Sequence, residues 1–324
     1  MKTKTPLLSI VLGIGLALVA ASAQAKPPLT IGYSDWPGWV AWEIALEKDW
    51  FTEAGVDVEF EWFDYVASMD AYAAGQLDAV CMTNGDTLVT GASGRVAQMI
   101  LINDFSNGND MIVARPGLTE VAGLKAKQVG VEIGFVSHLL LLRALESAGL
   151  TEDDVNLVNV KTNETPVVLA SGQVDAIVAW QPNSSQSLQL LPGSSAIYSS
   201  RNDPGLIYDT LAVAPESLNA RREDWAKVVD VWYRIMDFMA DPANLDEALA
   251  IMSARVGVEP ADYAEILKGT RLLTREEARA RYAQAEGLDS LYGSTAVADA
   301  FNVKYKVYAD AQDVEAYIDA SFYQ

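Results

Sequence analysis

The sequence predicts an α/β protein of two doubly wound lobes joined by a two-strand hinge, with a helical C-terminal tail. Short apolar runs alternate with helix-like stretches, the pattern of buried parallel strands linked by crossover helices. That pattern occurs twice in one order, marked by the runs Gly75-Gln-Leu-Asp-Ala79 and Gly172-Gln-Val-Asp-Ala176. From Ala220 onward the apolar spacing is mainly helical.

The elements follow in order. Lys2 and Lys4 precede an apolar run, Leu7 to Ala21, and the small-x-small site Ala23-Gln24-Ala25. This reads as a secretory signal peptide over 1–25, cut after Ala25. The run is short for a bilayer span, and no cysteine stands at the cut to carry a lipid, so a free periplasmic protein is expected. Lobe 1 is expected over 26–112 and 213–324, and lobe 2 over 113–212. In lobe 1, strand Leu29 to Tyr33 leads to a helix, Val40 to Phe51, then Gly55, strand Val56 to Phe60, a helix, the Gly75 run and strand Val80 to Met82. In lobe 2, strand Gln128 to Glu132 leads to a helix, Leu139 to Ala148, then Gly149, strand Val155 to Val160, a helix, the Gly172 run and strand Ile177 to Ala179. Glycine just past a helix takes the left-handed conformation that closes it. Met111 to Pro116 and Leu206 to Val213 are the expected crossings, and hinge closure around a ligand is a known motion for such a pair of lobes. Tail helices are expected at Arg222 to Met239, Leu245 to Val256, Pro260 to Leu267, near Arg275 to Ala285 and at Val314 to Ser321.

Composition narrows the partners. The chain carries 44 acids against 23 lysines and arginines, a formal charge of −21, which repels nucleic acid and anionic lipid. The lone Cys81, in an apolar run, reads as a buried thiol.

Open α/β sheets bind ligands beyond the carboxyl ends of their strands, so the loops there hold the candidate site. Lobe 1 offers Ser34, Asp35, Trp36 and Trp39, then Asp64 and Tyr65, then Thr83, Asn84 and Asp86, and later Asn103, Asp104, Asn107 and Asn109. Lobe 2 offers Glu132, Phe135, Ser137 and His138, then Asn163, and then Trp180, Gln181 and Asn183, while the returning crossing adds Tyr208 and Asp209. None of these is a lysine or arginine. An anion stripped of water beside carboxylates has no compensation there, whereas a cation gains from charge-assisted hydrogen bonds and from aromatic faces. The expected cage has Trp36, Trp39 and Trp180 as walls, Asp35, Asp86, Glu132 and Asp209 as counter-charges, and Asn84 beside them. Ser34, Tyr65, Thr83, Phe135, His138, Gln181 and Tyr208 are further candidates.

Plainer roles compete. Asp35 and Ser137 could cap helices, Asp78 and Asp175 suit turns, and Trp62 and Trp225 suit packing. His138 fits a positioned residue better than a catalytic base. The sequence contains no Walker loop, no G-x-S-x-G, no H-E-x-x-H and no Cys-x-x-Cys. With one His and one Cys, no metal, cofactor or catalytic residue is expected, although carboxylates are numerous enough for a hydrolase pair that no spacing singles out.

The stretches "EAGVDVEF", "AAGQLDAV" and "LASGQVDAIVAWQPN", in this order behind a leader, resemble the periplasmic substrate-binding proteins of ABC transporters, in the nitrate, sulfonate and taurine group. Within it, "YSDWPGWVAWE", "CMTNGDTLVTGA" and "NDFSNGNDMIV" look like the branch found beside urea carboxylase genes. The resemblance implies a periplasmic binding protein type II fold and a monomer that delivers a small ligand to a membrane permease driven by a cytoplasmic ATPase. For that branch it implies guanidine as ligand, with urea or an amine next. Taurine, a sulfonate or nitrate is the alternative from the wider group, and an enzyme of the pyrimidine-synthase type, which shares the fold, is the third.

Overall fold

The computed structural model describes residues 26–323; the expected leader at 1–25 lies outside the described residues. The apolar runs form strands β1 (Leu29–Tyr33), β2 (Val58–Trp62), β3 (Ala79–Thr83), β4 (Gln98–Ser106), β5 (Met111–Ala114), β6 (Gln128–Val131), β7 (Asn156–Asn159), β8 (Ala176–Ala179), β9 (Ser195–Ser199), β10 (Tyr208–Val213) and β11 (Thr270–Leu272). They make two sheets, in the orders β11-β4-β10-β3-β1-β2 and β7-β6-β8-β5-β9. In each, the first strands of the repeat pair in parallel, β1 with β2 and β3, and β6 with β7 and β8. Strand β10 runs antiparallel between β3 and β4, and every one of its residues is buried.

The repeated Gly-Gln-apolar-Asp-Ala run does the same job twice. Asp78 Oδ2 accepts the Thr30 N–H at 3.0 Å, and Asp175 Oδ2 accepts the Gln128 N–H at 3.0 Å. Each aspartate thereby ties the turn before the third strand to the start of the first. Gly75 and Gly172 make that turn with φ of 76° and 83°, a region a Cβ disfavours.

Several elements depart from expectation. The helix expected over Val40 to Phe51 is split into a 3-10 turn at Trp39–Ala41 and helices at Trp42–Glu47 and Trp50–Ala54, because Asp49 adopts a left-handed conformation (φ 54°). The second strand begins at Val58 instead of Val56, since the Val56 N–H closes the preceding helix on Phe51 O at 3.1 Å. Both crossings fall earlier than expected. Met111 already pairs with Ala179 in the second sheet, and Asp209 already pairs with Thr83 in the first. The chain therefore crosses at 107–110 and 200–207, and the Ser200 hydroxyl stitches the two together, 2.7 Å from Ser106 Oγ and accepting the Gly108 N–H at 2.7 Å.

The tail returns to the first lobe. Helices at Pro215–Ala240 and Leu245–Val256 cover its outer face, where Trp42 meets Trp232 with ring centroids 4.6 Å apart. A helix at Leu291–Lys304, not anticipated, packs on the helix Asn84–Ala92. Where a helix was expected over Val314 to Ser321 there are short 3-10 turns. Trp225 is fully buried in the core, whereas Trp62 is 39% exposed and faces the cleft.

Candidate functional site

The loop after β1 sets the first wall. Trp36 O accepts the Val40 N–H at 3.1 Å, and Pro37 O accepts the Tyr263 hydroxyl at 3.1 Å. Gly38 lies against Asp104, where a Cβ would collide with the carboxylate. This close approach lets Trp36 Nε1 donate to Asp104 Oδ1 at 3.1 Å. Trp39 then stacks on Tyr65 (centroids 5.5 Å, planes at 24°), and Tyr65 meets Trp180 of the second lobe edge-on (5.1 Å, 79°).

These rings close on a tight cavity of about 10 Å³, room for about one water, lined by Trp36, Trp39, Tyr65, Thr83, Asp110, Val136, Trp180, Ile207 and Asp209. Trp36, Trp39, Trp180, Asp209, Tyr65 and Thr83 are thus brought together. Asp86 stands just behind, accepting from the Tyr65 hydroxyl at 2.7 Å and from the Val136 N–H at 3.3 Å, a bond that crosses between the lobes.

The cavity is an acidic site with no base. Asp209 sits opposite Asp104 across β10 and β4, and both are buried, 2% and 0% exposed. Asp110, on the first crossing, is 3% exposed. Asp110 Oδ2 and Asp209 Oδ2 are buried without a hydrogen-bond partner. Burial pushes Asp86 up to about 6, Asp110 to about 7 and Asp104 to about 8. Asp209 goes well above the aspartate range, first by burial and then by its neighbours Asp104 and Asp110. A carboxylate in such surroundings ionises more readily when a positive charge or strong donors arrive.

Asp35, Glu132 and Phe135 lie on a wider outer cleft that shares Tyr65 and Trp180 with the cavity. Asp35 accepts from Trp180 Nε1 at 3.4 Å and Asn183 Nδ2 at 3.1 Å, and Asp64 accepts from Asn163 Nδ2 at 3.2 Å, so the outer cleft is bridged from lobe to lobe. Burial raises the Asp35 carboxyl, which its two donors partly offset. Glu132 accepts from Thr162 at 3.1 Å, and burial pushes it up to about 7.

Other candidates stand elsewhere. Asn84 turns away from the cavity lining, donating to Ser294 and accepting the Tyr208 N–H at 3.1 Å. Tyr208 points its hydroxyl to Leu288 O at 2.9 Å. His138 accepts the Gly134 N–H at 3.3 Å and lies 3.4 Å from Glu152 Oε1, and burial lowers its affinity for a proton. Gln181 faces a groove on another side, with Pro182 and Arg201. Ser34 and Ser137 are buried with unpartnered hydroxyls, so Ser137 caps nothing, and Cys81 is a buried free thiol. Sequence reasoning missed Asp110 and Ile207 on the crossings and Val136 at a helix start; the run "NGND" at 107–110 was the available signal for the first.

Residues 22–253 match the NMT1-like family. The chain belongs to that family. This NMT1-like chain is 28% identical over 254 residues to a Brucella abortus protein described as a binding protein, covering 77% of one and 78% of the other. Its fold is that of the periplasmic aliphatic sulphonate-binding protein of Escherichia coli, with a TM-score of 0.73 at 17% identity over 92% of this chain and 99% of that one. The periplasmic nitrate-binding protein of Synechocystis shares it too, with a TM-score of 0.74 at 12% identity over 91% and 87%. The NMT1-like chain therefore has the periplasmic binding protein fold of two α/β lobes. Among the described residues no helix is long and apolar enough to cross a membrane, and no group of His, Cys, Asp and Glu is arranged to hold a metal ion.

Proposed function

We propose that this protein is a periplasmic solute-binding protein of an ABC importer that captures a small N–H-bearing cation between its lobes, guanidinium first, with urea or a related amine next. The observation that carries this is the pair of unpartnered carboxylate oxygens, Asp110 Oδ2 and Asp209 Oδ2, in an aromatic cavity without a lysine or arginine. Carboxylates accept from a cationic N–H in short, strong bonds, and ring faces attract the charge. The binding-protein relative and the expected leader favour capture outside the cytoplasm over turnover, with a permease and its ATPase as partners and a monomer as the working form. At about −1.5 kcal/mol per non-hydrogen atom, guanidinium reaches roughly −6 kcal/mol, or tens of micromolar.

The names of the structural neighbours favour a second reading, a sulfonate or nitrate ligand. An anion needs backbone donors at a helix start. The Val136 N–H that begins the second lobe's helix is already given to Asp86, which counts against it.

Titration calorimetry of residues 26–324 against guanidinium, urea, taurine and nitrate tests the choice. Saturable guanidinium binding, weakened by Asp209→Asn and by Trp180→Ala, supports the cation site. Binding of taurine or nitrate alone would overturn it.

A further inference from the structure

We propose that capture at this site is an exchange: the ligand-free cavity holds one proton shared across the Asp104–Asp209 pair, and an incoming N–H cation expels it. This rests on the cavity being a cation site.

The geometry forces the proton. Asp104 and Asp209 are cross-strand partners on β4 and β10, both out of contact with water. Like charges directly opposite each other in a sheet repel, and in a dry interior two such carboxylates do not both ionise. The groups that face the pair give no relief. Asp110 from the crossing and Asp86 from the helix after β3 are acids, Cys81 from β3 is a thiol, and Tyr263 from the helix Pro260–Leu267 is a phenol. Trp36 is the donor to Asp104, through an uncharged N–H. Burial with Asp110 nearby raises both carboxyls, Asp104 to about 8 and Asp209 further, so the pair holds at least one proton near neutral pH.

A cation changes the balance without changing the charge enclosed. One positive charge enters, one proton leaves to solvent, and the O–H of the pair is replaced by N–H donors to Asp209 Oδ2 and Asp110 Oδ2. Two consequences follow for selection. A quaternary ammonium ion carries the charge but no N–H, so it leaves those oxygens unpaired. An anion must bring protons in with it, which makes its binding weaken as pH rises, the opposite of the cation.

The experiment is calorimetry of the mature chain with guanidinium chloride in phosphate and in Tris, whose ionisation enthalpies differ, at about pH 7 and about pH 9. The expected result is buffer-dependent heat equal to roughly one proton released per cation near neutrality, with less at the higher pH. Affinity should rise up to tenfold per pH unit below about pH 8, and tetramethylammonium should bind at least about tenfold more weakly. Asp104→Asn and Asp209→Asn should each diminish the proton released. A second arm needs no variant: infrared spectra of the ligand-free protein near neutral pH should show a protonated carboxyl band that guanidinium removes. Guanidinium binding with the same heat in both buffers, or no such band, overturns the exchange and leaves the cation site standing. Failure of every N–H cation to bind overturns both.

Discussion

At the start of their first strands the two lobes are built alike, with Asp78 on Thr30 and Asp175 on Gln128, each aspartate supplied with donors. Across the cleft they differ. The first lobe and the crossings present Asp209, Asp110 and two tryptophans, while the second presents Trp180 and a backbone N–H that meets Asp86. The frame aspartates have hydrogen-bond partners, whereas Asp110 Oδ2 and Asp209 Oδ2 have none. The difference teaches that two lobes with one strand frame can carry unlike loops, the cavity's acids coming from the first lobe and the crossings.

The largest way to break this comparison is pH. The folded chain keeps its cavity acids protonated while the unfolded chain ionises them near the ordinary aspartate value, so folding takes up protons. Stability of the ligand-free protein should therefore fall as pH rises from about pH 5 to about pH 8, by roughly 1.4 kcal/mol per pH unit for each extra proton the folded chain still holds, through the range where Asp86, Asp110 and Asp104 titrate at about 6, 7 and 8. Urea denaturation across that range checks it, and a flat profile would show these acids to be solvated. Next in size is Asp209→Asn. It should weaken guanidinium by about ten- to a hundred-fold, the worth of one charge-assisted bond, without lowering the ligand-free melting temperature at pH 8. Asp78→Ala should do the reverse, costing about 1–2 kcal/mol of stability through the lost bonds from the Thr30 N–H and hydroxyl, with affinity unchanged; Asp175→Ala, which loses only the bond from the Gln128 N–H, should cost about half as much. The smallest effect is expected at the rim. Asn163→Ala removes one exposed bridge to Asp64 and should change affinity by no more than about threefold, or less than ~1 kcal/mol.

Legibility followed the strength of local signals. The strand Leu29–Tyr33 and the helices Leu245–Val256 and Pro260–Leu267 stand where the sequence put them, because apolar period and bounding Gly or Pro agree there. The helix Leu291–Lys304 escaped notice because it is buried along much of its length and carries Gly293, so no clear polar face marks it. In the site, Trp36, Trp39 and Trp180 could be gathered from strand ends because parallel sheets send those loops to one edge. Asn84 and Tyr208 sit at the same edge yet turn toward Ser294 and Leu288, a choice made by packing against the tail. Asp110 was hidden by the crossing, whose extent depends on pairing between residues far apart in sequence.

Strand β10 has a consequence for how the chain comes together. It fills the middle of the first sheet, but it leaves the ribosome or the translocon only after the whole of the second lobe. The second sheet is contiguous, from Met111 to Ser199, and can close on local contacts, whereas the first must wait for a strand and a tail from the far end. Distant pairing is slow to form. Pulsed hydrogen exchange during refolding should protect β6 and β8 before β3 and β4, and simultaneous protection would refute that order. The acid Asp209 thus arrives with a central strand made after the whole second lobe, so the acidic cavity is completed late in folding.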